Sequence, residues 1–509
     1  MKEPVDELLA AINKVTRELA VPLEVAALIE SFGYDDRSAK ELGFSSVFAL
    51  AEHLFARLPR DLTPHERAAP SRWLAFLSET RWALRKLPLG LAYAVPWMVL
   101  VTLQYLRPEA FQVTAELGGA LSLALIASLI TTGGFVQVIS RSGNFHYGLE
   151  EPFVARSNCT LLLNFGLISS LLLALLALIL GLYFHVFSTS YLILGAIEYV
   201  ALSLLWMFCA VLSVQGLSWC VPLTFLLSTL VIGVLKMLVN CGTVTVLMLW
   251  LALTVLSTLG CMLAGFRRAQ NKHPEKHASA TPRYGVWFIS LAPFYAYGAA
   301  YFAFLFADRV AAGSSISWVS GLSFGIDSTY QRGMDLVLLP FLITAALVEY
   351  LSDSFLRFWH RLSAEGSRAG DLPLAEALRK RHWKLMVVAL SSFVLIATGA
   401  CSAVWRLETL SLVREVWRTP AMGGLGYLML SLALLETIIL SSVNAIRPAL
   451  VALALGLAVN LLTGYGLGHL LGLQYAAAGL LVGSAVVLWR CNSAVREILR
   501  HPEYHYAVS

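Results

Sequence analysis

From Leu87 onward the chain is a succession of apolar stretches, each about as long as a bilayer is thick. Crossing ~30 Å of hydrocarbon takes ~20 helical residues at ~1.5 Å apiece. Helix is what an isolated stretch must form there, because it alone satisfies its own backbone donors and acceptors. Stretches that meet this requirement lie at 87–106, 117–139, 160–184, 190–213, 219–239, 242–266, 285–307, 334–356, 384–405, 422–442, 447–467 and 473–490. Twelve spans leave little chain for anything else. Composition agrees: 58% of residues are hydrophobic and 14% charged, against ~25% charged in soluble domains. A soluble enzyme, a nucleic-acid binder and a disordered protein are all excluded. The fold class expected is all-α, a polytopic membrane protein of about twelve transmembrane helices.

The remaining charge is unevenly placed. Residues 1–86 hold 25 of the 69 charged residues and are nearly neutral overall. Apolar residues recur at helical spacing in Leu8-Leu9-Ile12-Val15 and in Val47-Leu50-Ala51-Leu54. Ser45-Ser46 is placed to cap the second of these helices. This part reads as a small cytosolic helical domain followed by an interfacial helix at 73–84, with Trp73 and Trp82 at headgroup level. No apolar core or cleavage site marks the first twenty residues as a secretory signal. With the N-terminus inside, loops facing the cytosol carry 18 Lys and Arg and those facing out carry 6. That asymmetry predicts a multi-pass protein of the bacterial inner membrane with both termini in the cytoplasm. The basic loop 267–284 follows the sixth span and divides the membrane part into six-helix halves at 87–266 and 285–490, leaving a tail at 491–509. Leu129-Ile130-Thr131 and Leu342-Ile343-Thr344 echo each other at corresponding places, as a duplication would leave them.

Ionisable groups inside spans cost ~2.5–3.5 kcal/mol each and need a reason. Glu198 and Lys236 lie equally far from Leu217 in the turn at Gly216–Leu217, so they sit at matched depth in neighbouring spans. They read either as a structural ion pair or as a gate or substrate contact. Glu436, in span ten, has no basic residue at matched depth in either adjacent span. It is a candidate cavity-lining or proton-sensitive residue, or else a helix–helix hydrogen bond. Glu349, Asp353 and Arg357 follow an i, i+4, i+8 ladder on one helix face. Asn460 is a mid-membrane amide. Tyr297, with Tyr295 and Tyr301, offers aromatic faces to a sugar or to packing. Seven cysteines without CxxC spacing read as small hydrophobes. Walker, HExxH and GxSxG motifs are absent from the sequence, so no catalytic residue, cofactor or metal site is expected.

Two stretches resemble a known family. One is TTGGFVQVISRSGNFHYGLEE (131–151); the other comprises FLFADRV (304–310) and YQRGMDLVLLPFLITAALVEYLSDSFLRFWHRL (330–362). With Asp308-Arg309, Pro340, and Glu349 followed by Phe355, Arg357, Phe358 and Arg361, they resemble PelG. That family is the polytopic inner-membrane component of Pel exopolysaccharide export, within the multidrug/oligosaccharidyl-lipid/polysaccharide (MOP) flippase superfamily. The N-terminal 86 residues fall outside the resemblance. The likeness implies a route for a glycan across the inner membrane beside a cytosolic glycosyltransferase or synthase, with Asp308 and Arg309 as a structural or gating pair. Spans poor in cations, with Lys236 and a terminal Arg447, suit a neutral or weakly charged glycan better than a lipid pyrophosphate. Two other readings stay open: a proton- or cation-coupled small-molecule antiporter of the same fold, and a non-transporting membrane scaffold.

Overall fold

The computed structural model describes residues 22–31, 34, 36–57, 114–148, 151–239, 242–272, 284–320, 325, 327–369, 374–407 and 417–500, with single residues at 5, 8, 9, 12 and 502. The expected span at 87–106, the interfacial helix at 73–84 and most of the loop 267–284 lie outside the described residues.

Among the described residues of the N-terminal part, three short helices can be followed: α1 (Pro22–Ser31), α2 (Asp36–Glu41) and α3 (Val47–Arg57). Their apolar faces meet in one core of Val25, Ile29, Val47, Leu50 and Leu54, which Leu8 and Ile12 from further up the chain complete. Gly43, at φ +89°, makes the left-handed turn between α2 and α3. The Ala49 amide donates to Ser46 Oγ at 3.3 Å, and the Val47 amide donates to Asp36 Oδ1 at 2.9 Å. These two bonds satisfy donors that the first turn of α3 would otherwise leave open. This core is separate from that of the membrane helices.

The remaining helices are α4 (Ala115–Gly148), α5 (Pro152–Phe184), α6 (Thr189–Val214), α7 (Cys220–Leu238), α8 (Thr243–Lys272), α9 (Tyr284–Ser320), α10 (Ser328–Ala369), α11 (Leu374–Leu407), α12 (Arg418–Ser442), α13 (Ile446–Leu470) and α14 (Ala477–Ile498). Ten of them are long and apolar enough to cross a membrane, and α7 holds a shorter apolar stretch, Cys220–Lys236. They occupy eleven of the twelve expected stretches, so the chain is a multi-pass helical membrane protein. Several are longer than a span requires. At 42 residues, α10 is ~63 Å long and extends past the bilayer. The structure corrects the outer loop expected at 308–333: α9 continues to Ser320 and α10 begins at Ser328. Its sequence AAGSSIS contains no proline, and its small residues do not oppose helix once neighbours bury them. Pro293 and Pro340 sit inside α9 and α10 without ending them, as proline does in membrane helices whose neighbours satisfy the freed carbonyl.

The helices pair by one scheme used twice. In the first half α4 packs on α5 and α6, α5 on α6, α6 on α8, and α7 on α8. Six spans later, α10 packs on α11 and α12, α11 on α12, α12 on α14, and α13 on α14. The Leu-Ile-Thr echo falls on α4 and α10, which correspond in this scheme. Among the described residues the extensive contact between halves is a single seam, α4 against α9.

Candidate functional site

The seam is built on glycine. A Cβ on Gly298 would strike the Gly133 carbonyl oxygen, and one on Gly134 would lie 2.7 Å from the Tyr295 carbonyl oxygen. Backbone therefore meets backbone, the close approach that small residues allow in membranes. Phe135 and Tyr295 meet edge to face at 5.0 Å, and the Arg141 guanidinium lies over Phe294 at 4.9 Å.

Among the described residues, two buried polar clusters stand out in the second half. The first is at the end expected to face outward. Arg309 donates to Asp335 Oδ1 and to the Tyr427 hydroxyl, both at 3.0 Å, and stands 3.8 Å from Asp308 Oδ1. Tyr330 donates to Asp308 Oδ2 at 2.9 Å. All five side chains are buried. Charges this deep persist only when paired and hydrogen-bonded. Arg309 also lines a small cavity between α9, α10 and α4, with Ser122, Asp327 and Gln331 on its walls. Sequence reasoning identified Asp308-Arg309 but put the pair in an outer loop and missed Asp335, Tyr330 and Tyr427. Asp335 was within reach, because a carboxylate one residue inside an expected span demands a partner.

The second cluster surrounds Glu436, nine residues and so ~14 Å further along α12 from Tyr427. Glu436 is fully buried. His382 Nε2 is 2.9 Å from its Oε2, and Asn492 Nδ2 donates to its Oε1 at 2.8 Å. The expectation that Glu436 lacks a basic neighbour is thereby corrected. His382 precedes the expected start of span nine by two residues, and Asn492 follows the expected end of span twelve by two. Helices α11 and α14 run past the apolar stretch and carry both side chains in with them. Beside this cluster, Tyr297 donates to Thr437 Oγ1 at 3.0 Å and stacks on Tyr301 with ring centroids 6.3 Å apart. Tyr297 is buried and its hydroxyl is engaged, so it does not offer a free face to a sugar.

The structure does not bring Glu198 and Lys236 together. Glu198 Oε2 has no hydrogen-bond partner, and Lys236 is exposed in the last turn of α7. Matched depth is not adjacency: α6 is held by α4, α5 and α8, while α7 leans on α8, so the two arms of the hairpin separate beyond their turn. Asn460 donates to the Phe304 carbonyl at 3.1 Å, joining α13 to α9. On the predicted ladder Asp353 and Arg357 lie 3.9 Å apart and half-exposed, and Glu349 is exposed on α10. Among the described residues no three His, Cys, Asp or Glu side chains are grouped to hold a metal ion.

No protein-family model and no curated protein matches this sequence. Solved structures do match in fold. An outward-facing multidrug resistance MATE family transporter of the MOP superfamily is 14% identical, with TM-score 0.53 over 84% of this chain and 97% of that one. A mutant MATE transporter of Vibrio cholerae is 14% identical, with TM-score 0.54 over 84% of this chain and 100% of that one. An inward-facing MATE family transporter is 12% identical, with TM-score 0.52 over 81% of this chain and 94% of that one. By these likenesses the chain has the fold of the MATE transporters.

Proposed function

We propose that this chain is a membrane transporter that works by alternating access, its two halves rocking about the α4–α9 seam. The observation that carries the reading is the repeated helix pairing in two halves that meet along that one glycine-lined contact. Duplicated bundles around a central route are the usual architecture for such motion, and the solved structures of this fold are described as transporters in both outward- and inward-facing forms.

The cargo we propose is a polysaccharide, handed over by a cytosolic glycosyltransferase. The two stretches that resemble PelG support this. So does the state of Arg309, the one fully buried arginine among the described residues. It is already held by Asp335, Asp308 and Tyr427, and so is committed to the protein rather than free to offset a pyrophosphate. The experiment is deletion of the gene in its host, with surface polysaccharide quantified. Loss of polysaccharide, restored by the full-length gene, is expected. Intact polysaccharide with loss of small-molecule efflux would replace the cargo by that of an antiporter. Intact polysaccharide and intact efflux would leave the scaffold reading.

A further inference from the structure

We propose that a groove between α4, α5 and α6 is a lipid site. It holds one acyl chain of a phospholipid from the outward-facing leaflet, and the headgroup ammonium of that lipid rests on Glu116. Such a site lies in the first half, away from both polar clusters, and does not depend on the cargo.

A cavity of about 500 Å³ opens between these three helices. Its walls carry small residues: Ala120, Ala124 and Ala127 on α4, Ala174 and Ala177 on α5, and Ala196 on α6. They leave a space that no neighbouring side chain among the described residues fills. At the inner end the Tyr199 hydroxyl donates to Thr131 Oγ1 at 3.1 Å, so the polar groups there are engaged with each other. The lining runs from Ala120 to Thr131 on α4 and from Leu173 to Phe184 on α5, a rise of ~16 Å in each. That is the depth of one leaflet, half of a ~30 Å hydrocarbon core. Spread over this length, the cavity has a section of ~30 Å². It admits one extended hydrocarbon chain and is too narrow for two. The methyl branches of an isoprenoid widen the chain at every fourth carbon and fit such a channel less well.

An empty groove would forfeit dispersion contacts along its walls, so a tail fills it. Tails and walls are about equally apolar, however, and the tail alone selects no particular lipid. The headgroup does. Glu116 stands one turn before Ala120 on the same face of α4 and is half-buried. Its Oε1 accepts the Ser188 amide at 2.6 Å. Ser188 follows Val186 and Phe187, which both line the groove. The carboxylate is therefore fixed at the mouth. The described residues around the mouth, 114–123 and 176–197, contain no Lys or Arg, and their other titratable side chains are Tyr183, His185 and Tyr191. A carboxylate in this setting attracts an ammonium and repels a second anion. Phosphatidylethanolamine brings that ammonium, whereas phosphatidylglycerol brings negative charge alone. Thr131 ends the groove and Gly133 lies in the seam, so a lodged chain braces α4 beside its contact with α9.

The test is native mass spectrometry of the full-length protein in mild detergent. Phosphatidylethanolamine and phosphatidylglycerol with the same acyl chains, and undecaprenyl phosphate, are added in turn. The expected result is one retained phosphatidylethanolamine per protein, favoured at least about tenfold over phosphatidylglycerol. Glu116→Gln keeps an oxygen for the Ser188 amide, so it should fold and retain lipid but lose the preference. Ala127→Phe combined with Ala177→Phe, both at exposed positions on the walls, fills the groove and should retain no lipid. Melting curves check that each variant folds. If the double variant does not, a phosphatidylethanolamine with a diazirine at its chain tip decides on the wild type. It should label α4 around Thr131, and labelling confined to other sites would overturn the groove. So would the absence of retained lipid, unchanged retention in the folded double variant, or a preference for undecaprenyl phosphate over both phospholipids. An unchanged preference in Glu116→Gln would overturn the headgroup assignment.

Discussion

Arg309 shows how one buried charge organises its surroundings. It sits between two carboxylates, and the Tyr427 hydroxyl takes up a further donor. Replacing it by methionine keeps the volume but strands Asp308 and Asp335 in the membrane interior. Breaking a buried pair from one side costs about 3–5 kcal/mol, so Arg309→Met should unfold at markedly lower temperature in detergent. Adding Asp335→Asn and Asp308→Asn to that background should recover most of the loss. Recovery would show that the stranded charges, not the missing contacts, are the cost; thermal unfolding of the single and triple variants checks it. Glu436→Ala is predicted to be milder, about 1–3 kcal/mol, since it leaves a neutral amide and an imidazole without their acceptor. The same melting experiment reads it.

At the scale of elements, the second half is assembled through small residues. Gly456, Asn460 and Gly464 repeat every fourth position on α13 and face Gly479 and Gly483 of α14. A Cβ on Gly483 would lie 2.8 Å from both the Gly456 carbonyl oxygen and Asn460 Cβ. Asn460 profits from the closeness, reaching the Phe304 carbonyl on α9. Gly483→Val should therefore destabilise the bundle by about 1–3 kcal/mol through overpacking. Gly466→Val, on α13 with open space around the added atoms, should change stability little. Equal effects at the two positions, in detergent melting curves, would mean that glycine matters there only for its backbone freedom.

At the scale of the molecule, two cores and one seam determine what can be removed and what cannot. The α1–α3 core closes on its own residues, so deleting residues 1–57 should leave the melting temperature of the membrane part nearly unchanged. The seam is the opposite case. Gly298→Leu pushes a side chain into the backbone of α4 at Gly133. The variant should still insert and purify, since each half keeps its internal contacts, but export should fall at least about tenfold if the rocking halves need this approach. Normal export by a well-inserted Gly298→Leu protein would remove the seam from the mechanism.

Spans, fold class and the N-terminal helical core were legible because each is written locally. Hydrocarbon length demands ~20 apolar residues in a row, and an amphipathic helix repeats its apolar face every third or fourth residue. Val47, Leu50, Ala51 and Leu54 were readable for that reason, and all are buried. Glu436 was visible as a carboxylate in an apolar stretch, but its partners were not. His382 and Asn492 are respectively 54 and 56 residues distant in the chain, on helices whose overhang beyond the apolar stretch leaves no mark in hydropathy. Glu198 and Lys236 show the converse, since equal depth suggested a pair that splayed helices prevent. Burial in a bilayer is a property of each segment, and the sequence alone determines it. Which side chains meet depends on the rotation and overhang of helices packed against one another. Only the tertiary structure decides that, because lipid and protein are about equally apolar and hydropathy carries no record of which face turns inward.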